Sequence, residues 1–566
     1  MRITTTVRGL AAVSATALAA FLGSVTALAG PSAPVHASPA STVSAPTHLP
    51  AQLSDFRSYV DGVRKQFDVP GIAVAIVKDG KVVLQAGYGV RQYATHGAPD
   101  KPVDAHTIFA IASNTKAFTA ASLSMLADQG KLDMGDRVTD HLPWFRMSDP
   151  NITHEMRIRD LLAHHSGLSL GAGDLLYWPT TDYTTRQVVQ HLAHVPIKYG
   201  FRARYFYDNI LFGVAELVIE NVSGESYRHF LRTHFFEPLG MHDTRFNFHY
   251  IKPGNPDVAV GYAKYDYTDL KPVAPLAWSN NSGAGGIYSS VHDMARWIIA
   301  QLNGGVYGKN PDGSDKRLFS EKRHEEMWSV QTAIHPGKPK VPELAAVEPD
   351  YAGYGEGWHL SEYRGHKMVY HTGGWPGFVS RVTMIPDLKL GMVVLTNQQS
   401  GAAFQAVTYR ILDAYLGAPR TDWTAVYARS VAQSMSNADK SRERHAAARD
   451  RHSKPSLPLS GYAGTYRDPW YGNVVIRKKA GHLVMQFSHT RQLLGDLEHW
   501  QHDTFVVHWR DRSLNADAFV TFALDADGRV REMRMKPISP LTDFSFDFQD
   551  LRLKPLPSAD LNKDGD

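Results

Sequence analysis

Ser113 and Lys116 stand three residues apart in the run Ile111-Ala112-Ser113-Asn114-Thr115-Lys116-Ala117-Phe118. On a helix that spacing puts both side chains on one face. A hydroxyl is a weak nucleophile at neutral pH and needs a neighbouring base to take its proton. A desolvated lysine can be that base, because burial disfavours the ammonium form. Small residues around Ser113 also let a substrate approach the helix start, where free backbone amides point outward. Taken alone, the four residues equally describe a helix N-cap serine followed by a solvated lysine. The elements around them and the motifs downstream have to decide.

A helix starts at Ser54 as N-cap, with Phe56, Val60, Val63 and Phe67 on one face. Gly71 to Val90 alternates apolar and polar residues about Asp79-Gly80, a hairpin signal because that dipeptide supplies the positive φ of a type I′ turn. The Ser113 helix follows and closes near Gly130. A helical and loop-rich middle runs to about residue 300 and holds Leu161–Leu168 and the glycine-dense Ser282–Ile287. Strands return at Lys367 to His371, Phe378 to Ile385 and Leu390 to Thr396, before a helix from Phe404 to Leu416. Strands from both ends and helices from the middle predict an α+β domain over 53–425, three-layered. Its antiparallel sheet is flanked by helices and carries a helical subdomain. An alanine-rich, charged stretch at 426–457 reads as a linker helix. The strand-like remainder, 458–556, reads as a separate all-β, barrel-like domain.

The ends of the sequence read differently. Arg2 and Arg8 precede a small-residue apolar stretch, Gly9 to Ala29, the pattern of a secretory signal over 1–37. Cleavage after Ala29 or Ala37 is expected, then a disordered Pro/Ser/Ala lead-in over 38–52. This predicts a secreted or periplasmic protein, with a retained membrane anchor as the competing reading. Asp560–Gly565 mimics the opening of a calcium loop, but it breaks off before the last ligand position and reads as a polar tail over 557–566.

The 566 residues carry a formal charge of +4. Loss of Arg2 and Arg8 with the leader leaves about +2, too near neutral to point to nucleic acid or an anionic membrane. No later segment is apolar enough to span a bilayer. Absence of cysteine excludes a thiol nucleophile and any cysteine zinc site. His164 and His165 are adjacent and cannot share a helical face, so neither a metal nor another cofactor is expected.

Two further clusters give the Ser113 pair its context: Tyr207-Asp208-Asn209, 94 residues after Ser113, and His371-Thr372-Gly373-Gly374, 164 residues later still. With these three motifs in order, residues 50 to 420 resemble the serine β-lactamase and penicillin-binding-protein superfamily, nearest its class C-like branch of D,D-peptidases, D-aminopeptidases and esterases. The resemblance implies a serine hydrolase with Ser113 as acylated nucleophile, Lys116 as proton partner and Tyr207 sharing proton transfer. It implies substrate contact by Asn209, His371, Thr372 and Gly373, and an oxyanion hole from the backbone amides of Ser113 and Gly374. A phenol with an ordinary pKa of about 10 is a poor base at neutral pH. The expected device is therefore a Tyr207 phenolate held between two cations, Lys116 and protonated His371. Which of Lys116 and Tyr207 takes the first proton stays open.

His371 stands where lysine is common in the family, and histidine is charged only part of the time near neutrality. Strong class C β-lactamase activity is therefore not expected. Peptides containing a D-amino acid come first as substrates, then small esters; the alternatives are a β-lactamase, or a penicillin-binding sensor that acylates without turnover. The segment opening Leu459-Ser460-Gly461-Tyr462 resembles a lipocalin-like domain appended to some members, which would shape the pocket or support a homo-oligomer.

Overall fold

The computed structural model describes residues 49–94, 99–247 and 257–557. The expected signal segment, most of the lead-in and almost all of the polar tail lie outside the described residues.

The first domain is built on a nine-stranded sheet. Its strands are β1 (Gly71–Lys78), β2 (Lys81–Gln92), β3 (Lys101–Pro102), β4 (Thr332–Ile334), β5 (Ala352–Tyr354), β6 (His359–Tyr363), β7 (His366–Trp375), β8 (Phe378–Ile385) and β9 (Leu390–Thr396). The spatial order is β4-β5-β6-β7-β8-β9-β1-β2-β3, and every neighbouring pair is antiparallel. The hairpin between β1 and β2 turns as its Asp-Gly pair dictates, with φ of 51° at Asp79 and 72° at Gly80.

Strand period explains the layering. Ile72, Val74 and Ile76 of β1 join one core, shared with helix α1 (Phe56–Gln66) and helix α5 (Gly401–Tyr415). Ala73, Ala75 and Val77 point the other way, into the core built on α2 (Thr115–Asp128), α3 (Ile210–Ser223) and α4 (Val291–Leu302). Buried apolar residues on both faces thus force helices onto both sides of the sheet.

Three local expectations need correction. The N-cap of α1 is Asp55, not Ser54, and its carboxylate makes no cap bond because Arg410 (3.0 Å) and Arg420 draw it away. Strand β7 runs on to Trp375, so the His371-Thr372-Gly373 run lies inside a strand rather than at its end; Trp375 pairs with Phe378 across a tight turn. Helix α6 (Trp423–Ala447) begins before the expected linker, and buries Trp423, Val426 and Tyr427 against the first domain.

The C-terminal domain is an eight-stranded antiparallel meander: β10 (Gly464–Asp468), β11 (Gly472–Lys479), β12 (His482–Phe487), β13 (Leu494–Gln501), β14 (Thr504–Trp509), β15 (Ala518–Leu524), β16 (Val530–Pro537) and β17 (Lys554–Pro555). Short β17 pairs with β10, and the preceding Leu553 exchanges backbone hydrogen bonds with Met533 of β16, at 2.8 and 3.2 Å. The ring of strands is thereby nearly closed into a barrel. Between β16 and β17 the chain leaves the barrel and reaches the first domain.

Candidate active site

The nucleophile turn is held from behind by the sheet. Ala112 sits at φ 46°, a left-handed conformation that costs an alanine energy and persists only where its surroundings impose it. The surroundings are visible: Asn114 Nδ2 donates to Ser380 Oγ (2.8 Å), which donates to the Ile111 carbonyl (2.7 Å). Gly373 lies against the same turn, where a Cβ would come within 2.1 Å of the Ile111 oxygen and 3.0 Å of the Ser113 nitrogen. Its role is to let β7 touch the turn. The cleft is lined by its neighbours Thr372 and Gly374 instead.

Lys116 is fully buried. Nζ donates to Asn209 Oδ1 (2.7 Å) and to the Ala284 carbonyl (2.9 Å), and lies 3.1 Å from Ser113 Oγ. The first two neighbours only accept. A neutral amine has two N–H groups for them and a lone pair left for the serine O–H. Burial drives its pKa down to about 7, against the pull of Asp174 and Asp208.

Tyr207 is hydrogen-bonded to Ser113, and its ring centroid is 4.9 Å from Lys116 Nζ. The phenolate expected between two cations does not form. Burial pushes the phenol well above its ordinary value, more than the Ser113 hydrogen bond lowers it. Beneath the ring lies His164, with ring centroids 4.3 Å apart.

His371 is not a cation either. Nδ1 lies 2.7 Å from the Thr372 carbonyl, which can only accept, so Nδ1 carries the proton. Nε2 lies 2.9 Å from the Tyr354 hydroxyl, which can donate to it when the ring is neutral. Burial holds this ring well below the usual histidine range, helped by His359 and Lys116. The part-time charge expected of His371 is absent because the ring lies inside the fold rather than facing solvent.

Asn209 stands beside the nucleophile as expected, but its amide is engaged by the protein. The oxygen takes Lys116; the nitrogen donates to Asp174 Oδ2 at 2.9 Å and meets Tyr177. It positions the lysine while also lining the cleft over Ser113. Asp174, its partner, has no motif to announce it.

A cleft of about 650 Å³ opens over Ser113. One wall is aromatic: Trp278 stacks on Trp375 at 4.6 Å, and Trp178 meets Trp375 edge-on at 5.3 Å. The opposite wall comes from the barrel domain, through the segment between β16 and β17. Phe544 meets Tyr207 edge-on at 6.0 Å, and Asp543 and Ser545 also line the cleft. Gly171, at φ 67°, makes room for it, since a Cβ there would lie 2.7 Å from the Phe544 ring. The only formal charges on the cleft wall among the described residues are Lys264, paired with Asp68 at 2.7 Å, and Asp543.

The arrangement sets a hydroxyl beside a phenol and an amine whose pKa burial brings to about 7, the equipment for acyl transfer. Comparison with known proteins agrees. A family model described as Beta-lactamase matches residues 56–416, more than half of the chain. The chain belongs to the beta-lactamase family. A domain of unknown function, DUF3471, matches residues 448–555, the barrel. The unguisins hydrolase ungD of Aspergillus violaceofuscus is 32% identical over 458 residues, 74% of this chain and 75% of that protein. Protein flp of Staphylococcus aureus (strain MW2) is 30% identical over 341 residues, 59% of this chain and 60% of that protein. The octameric penicillin-binding protein homologue from Pyrococcus abyssi shares the fold at TM-score 0.55 and 22% identity, over 88% of this chain and 99% of that one. This member of the beta-lactamase family is a serine hydrolase.

Proposed function

We propose that the protein is an exported hydrolase, secreted or periplasmic, that acylates Ser113 and acts on uncharged or amine-bearing substrates. Peptides containing a D-amino acid come first and small esters second. Ser113 attacks the carbonyl and passes its proton to Lys116. Tyr207, still a phenol, protonates the leaving nitrogen or oxygen and regains a proton from the Lys116 ammonium. Water then hydrolyses the ester and returns Ser113 to its hydroxyl form. The amides of Ser113 and Gly374 are assigned to the developing oxyanion.

The observation that carries the substrate reading is the neutrality of His371. A carboxylate-bearing β-lactam or D,D-peptide finds no histidine cation on β7, where lysine is common in the family, because burial holds the His371 ring well below the usual histidine range. What the cleft wall offers is a carboxyl, Asp543, which burial holds above the usual carboxylate range and which an amino group would relieve. The relative named an unguisins hydrolase supports a hydrolytic reaction, and the leader supports export.

A panel of D- and L-aminoacyl anilides, p-nitrophenyl esters and a chromogenic cephalosporin, read by turnover and intact mass, tests this. Expected are steady turnover of D-aminoacyl amides and esters, and slow acylation by the cephalosporin. A cephalosporin hydrolysed faster than both sinks the reading. Acylation of all three without steady turnover points to a sensor. The mass of exported protein, starting at Gly30 or Ser38, checks the leader.

The pH profile follows from Lys116. Its amine binds a proton below about 7, so kcat/KM climbs as pH rises through that value and then levels off. Replacement of His371 by Asn keeps a donor and an acceptor in the strand and is expected to leave the acid limb within about 0.3 pH unit, since no histidine charge is lost. A limb displaced by a full unit would mean that His371 titrates.

A further inference from the structure

A buried chain of hydrogen bonds leads from the nucleophile out to the barrel domain. Ser113 Oγ neighbours Lys116 Nζ, which donates to Asn209 Oδ1; Asn209 Nδ2 donates to Asp174 Oδ2, which also accepts from Ser545 Oγ at 2.8 Å. We propose that Asp174 is a positioning residue and counter-charge for Lys116, and that Ser545 from the barrel domain completes it, so that acylation depends on the docking of that domain. This rests on the assignment of Ser113 and Lys116 as the acyl-transfer pair.

Asp174 has a demanding location. It is fully buried in a short turn between Gly173 and Leu175, and among the described residues no cation lies in direct contact. An isolated buried carboxylate is costly, so its three donors, Tyr177, Asn209 and Ser545, decide how readily it ionises. The barrel also grips the turn itself. Asp547 accepts from the backbone amides of Gly173 (2.7 Å) and Leu175 (3.2 Å), on either side of Asp174. Asp550 binds Lys198 and accepts from Ser169 Oγ at 3.2 Å. Three residues of one barrel segment, 545, 547 and 550, thus fix the loop that fixes Asn209.

The chemistry gives Asp174 its use. When Ser113 gives up its proton, an ammonium appears inside the protein. Asp174, one amide away, can meet that charge with its own; the pair then holds a single proton in alternative places and titrates as a unit. Burial lifts the carboxyl to about 7, opposed by its three donors, while nearby Asp543 raises it further. The groups facing the pair are Tyr177 on the same turn, His164 beneath the Tyr207 ring, Asp208 and Tyr207 before α3, His371 and His359 from β7 and β6, and Asp543 and Asp547 from the barrel. Burial disfavours the charged form of all three histidines and both tyrosines, so among these groups only the acids can balance Lys116.

The test is the pH profile of acylation in the full-length protein, with p-nitrophenyl acetate as probe. In Asp174→Asn the ammonium loses its counter-charge, so Lys116 should release its proton at lower pH. The acid limb should fall by about 0.5 unit or more, and the plateau by about tenfold or more, as for partners that orient a catalytic group. Ser545→Ala removes one donor from the carboxylate, makes it ionise less readily, and should shift the limb the same way by a smaller step. Asp182→Ala removes an exposed contact with His489 between the same two domains (2.7 Å), and should leave the profile unchanged. Should Asp174→Asn not fold, Ser545→Ala decides. A limb unmoved in the variants that fold overturns the proposal, as does an equal shift in Asp182→Ala, which would report loosened domains only. Turnover that survives Ser113→Ala would overturn the underlying assignment instead.

Discussion

Replacement of Ser113 by alanine is expected to abolish the acyl-enzyme and to lower turnover by about 10⁵-fold or more, the scale seen when a serine nucleophile is removed. Among the described residues, the alcohol is the only group within 3.1 Å of the Lys116 amine that can give it a proton; the other two neighbours are acceptors. The smaller side chain leaves the turn intact, since its tethers run through Asn114, Ser380 and Gly373 rather than through Oγ. The variant should therefore melt within a few degrees of wild type and still admit substrate to the cleft. Intact mass after incubation with an activated ester is the measurement. An adduct of full stoichiometry on the alanine protein would place the nucleophile elsewhere.

Lys116→Ala should be nearly as severe, with acylation reduced by about 10³-fold, within the range for loss of a positioned general base. The loss should also change shape. Wild-type acylation falls as pH drops below about 7, because protonation of Lys116 removes the base. The alanine protein should show no limb there, only the weak rise with pH of an unassisted hydroxyl. Lys116→Ala also leaves a fully buried space and frees Asn209 Oδ1 and the Ala284 carbonyl, so folding must be checked by circular dichroism. A folded variant that acylates at the wild-type rate would hand the base's role to Tyr207.

Much of this site is readable from the chain because its chemistry is local. Ser113 with Lys116, and Tyr207 with Asn209, each fall within a few contiguous residues, and their order and spacing carry the family resemblance. The three-layer domain is readable for a similar reason, since strand alternation and helix periodicity act over short windows. Protonation is another matter. His371 looks like a part-time cation until Tyr354, His359 and the Thr372 carbonyl are placed around it. Tyr207 looks like a phenolate until it is buried. Ser54 looks like a cap until Arg410 and Arg420 orient Asp55. Asp174 and Ser545 lie 371 residues apart, in segments with no motif, and nothing short of the folded chain joins them.

The closing of the barrel by Leu553 and β17 has a consequence for the life of the molecule. The segment that walls the cleft, Asp543 to Asp550, lies between the last two strands of that ring and follows Ser113 by more than four hundred residues. Domains fold as units in the order of synthesis, N-terminal first. The nucleophile, its lysine and the sheet behind them can thus assemble while the barrel is still an open ribbon with two exposed edges, each a template for another strand. Completion of the cleft and protection of those edges then arrive together, as one late event in the maturation of the chain.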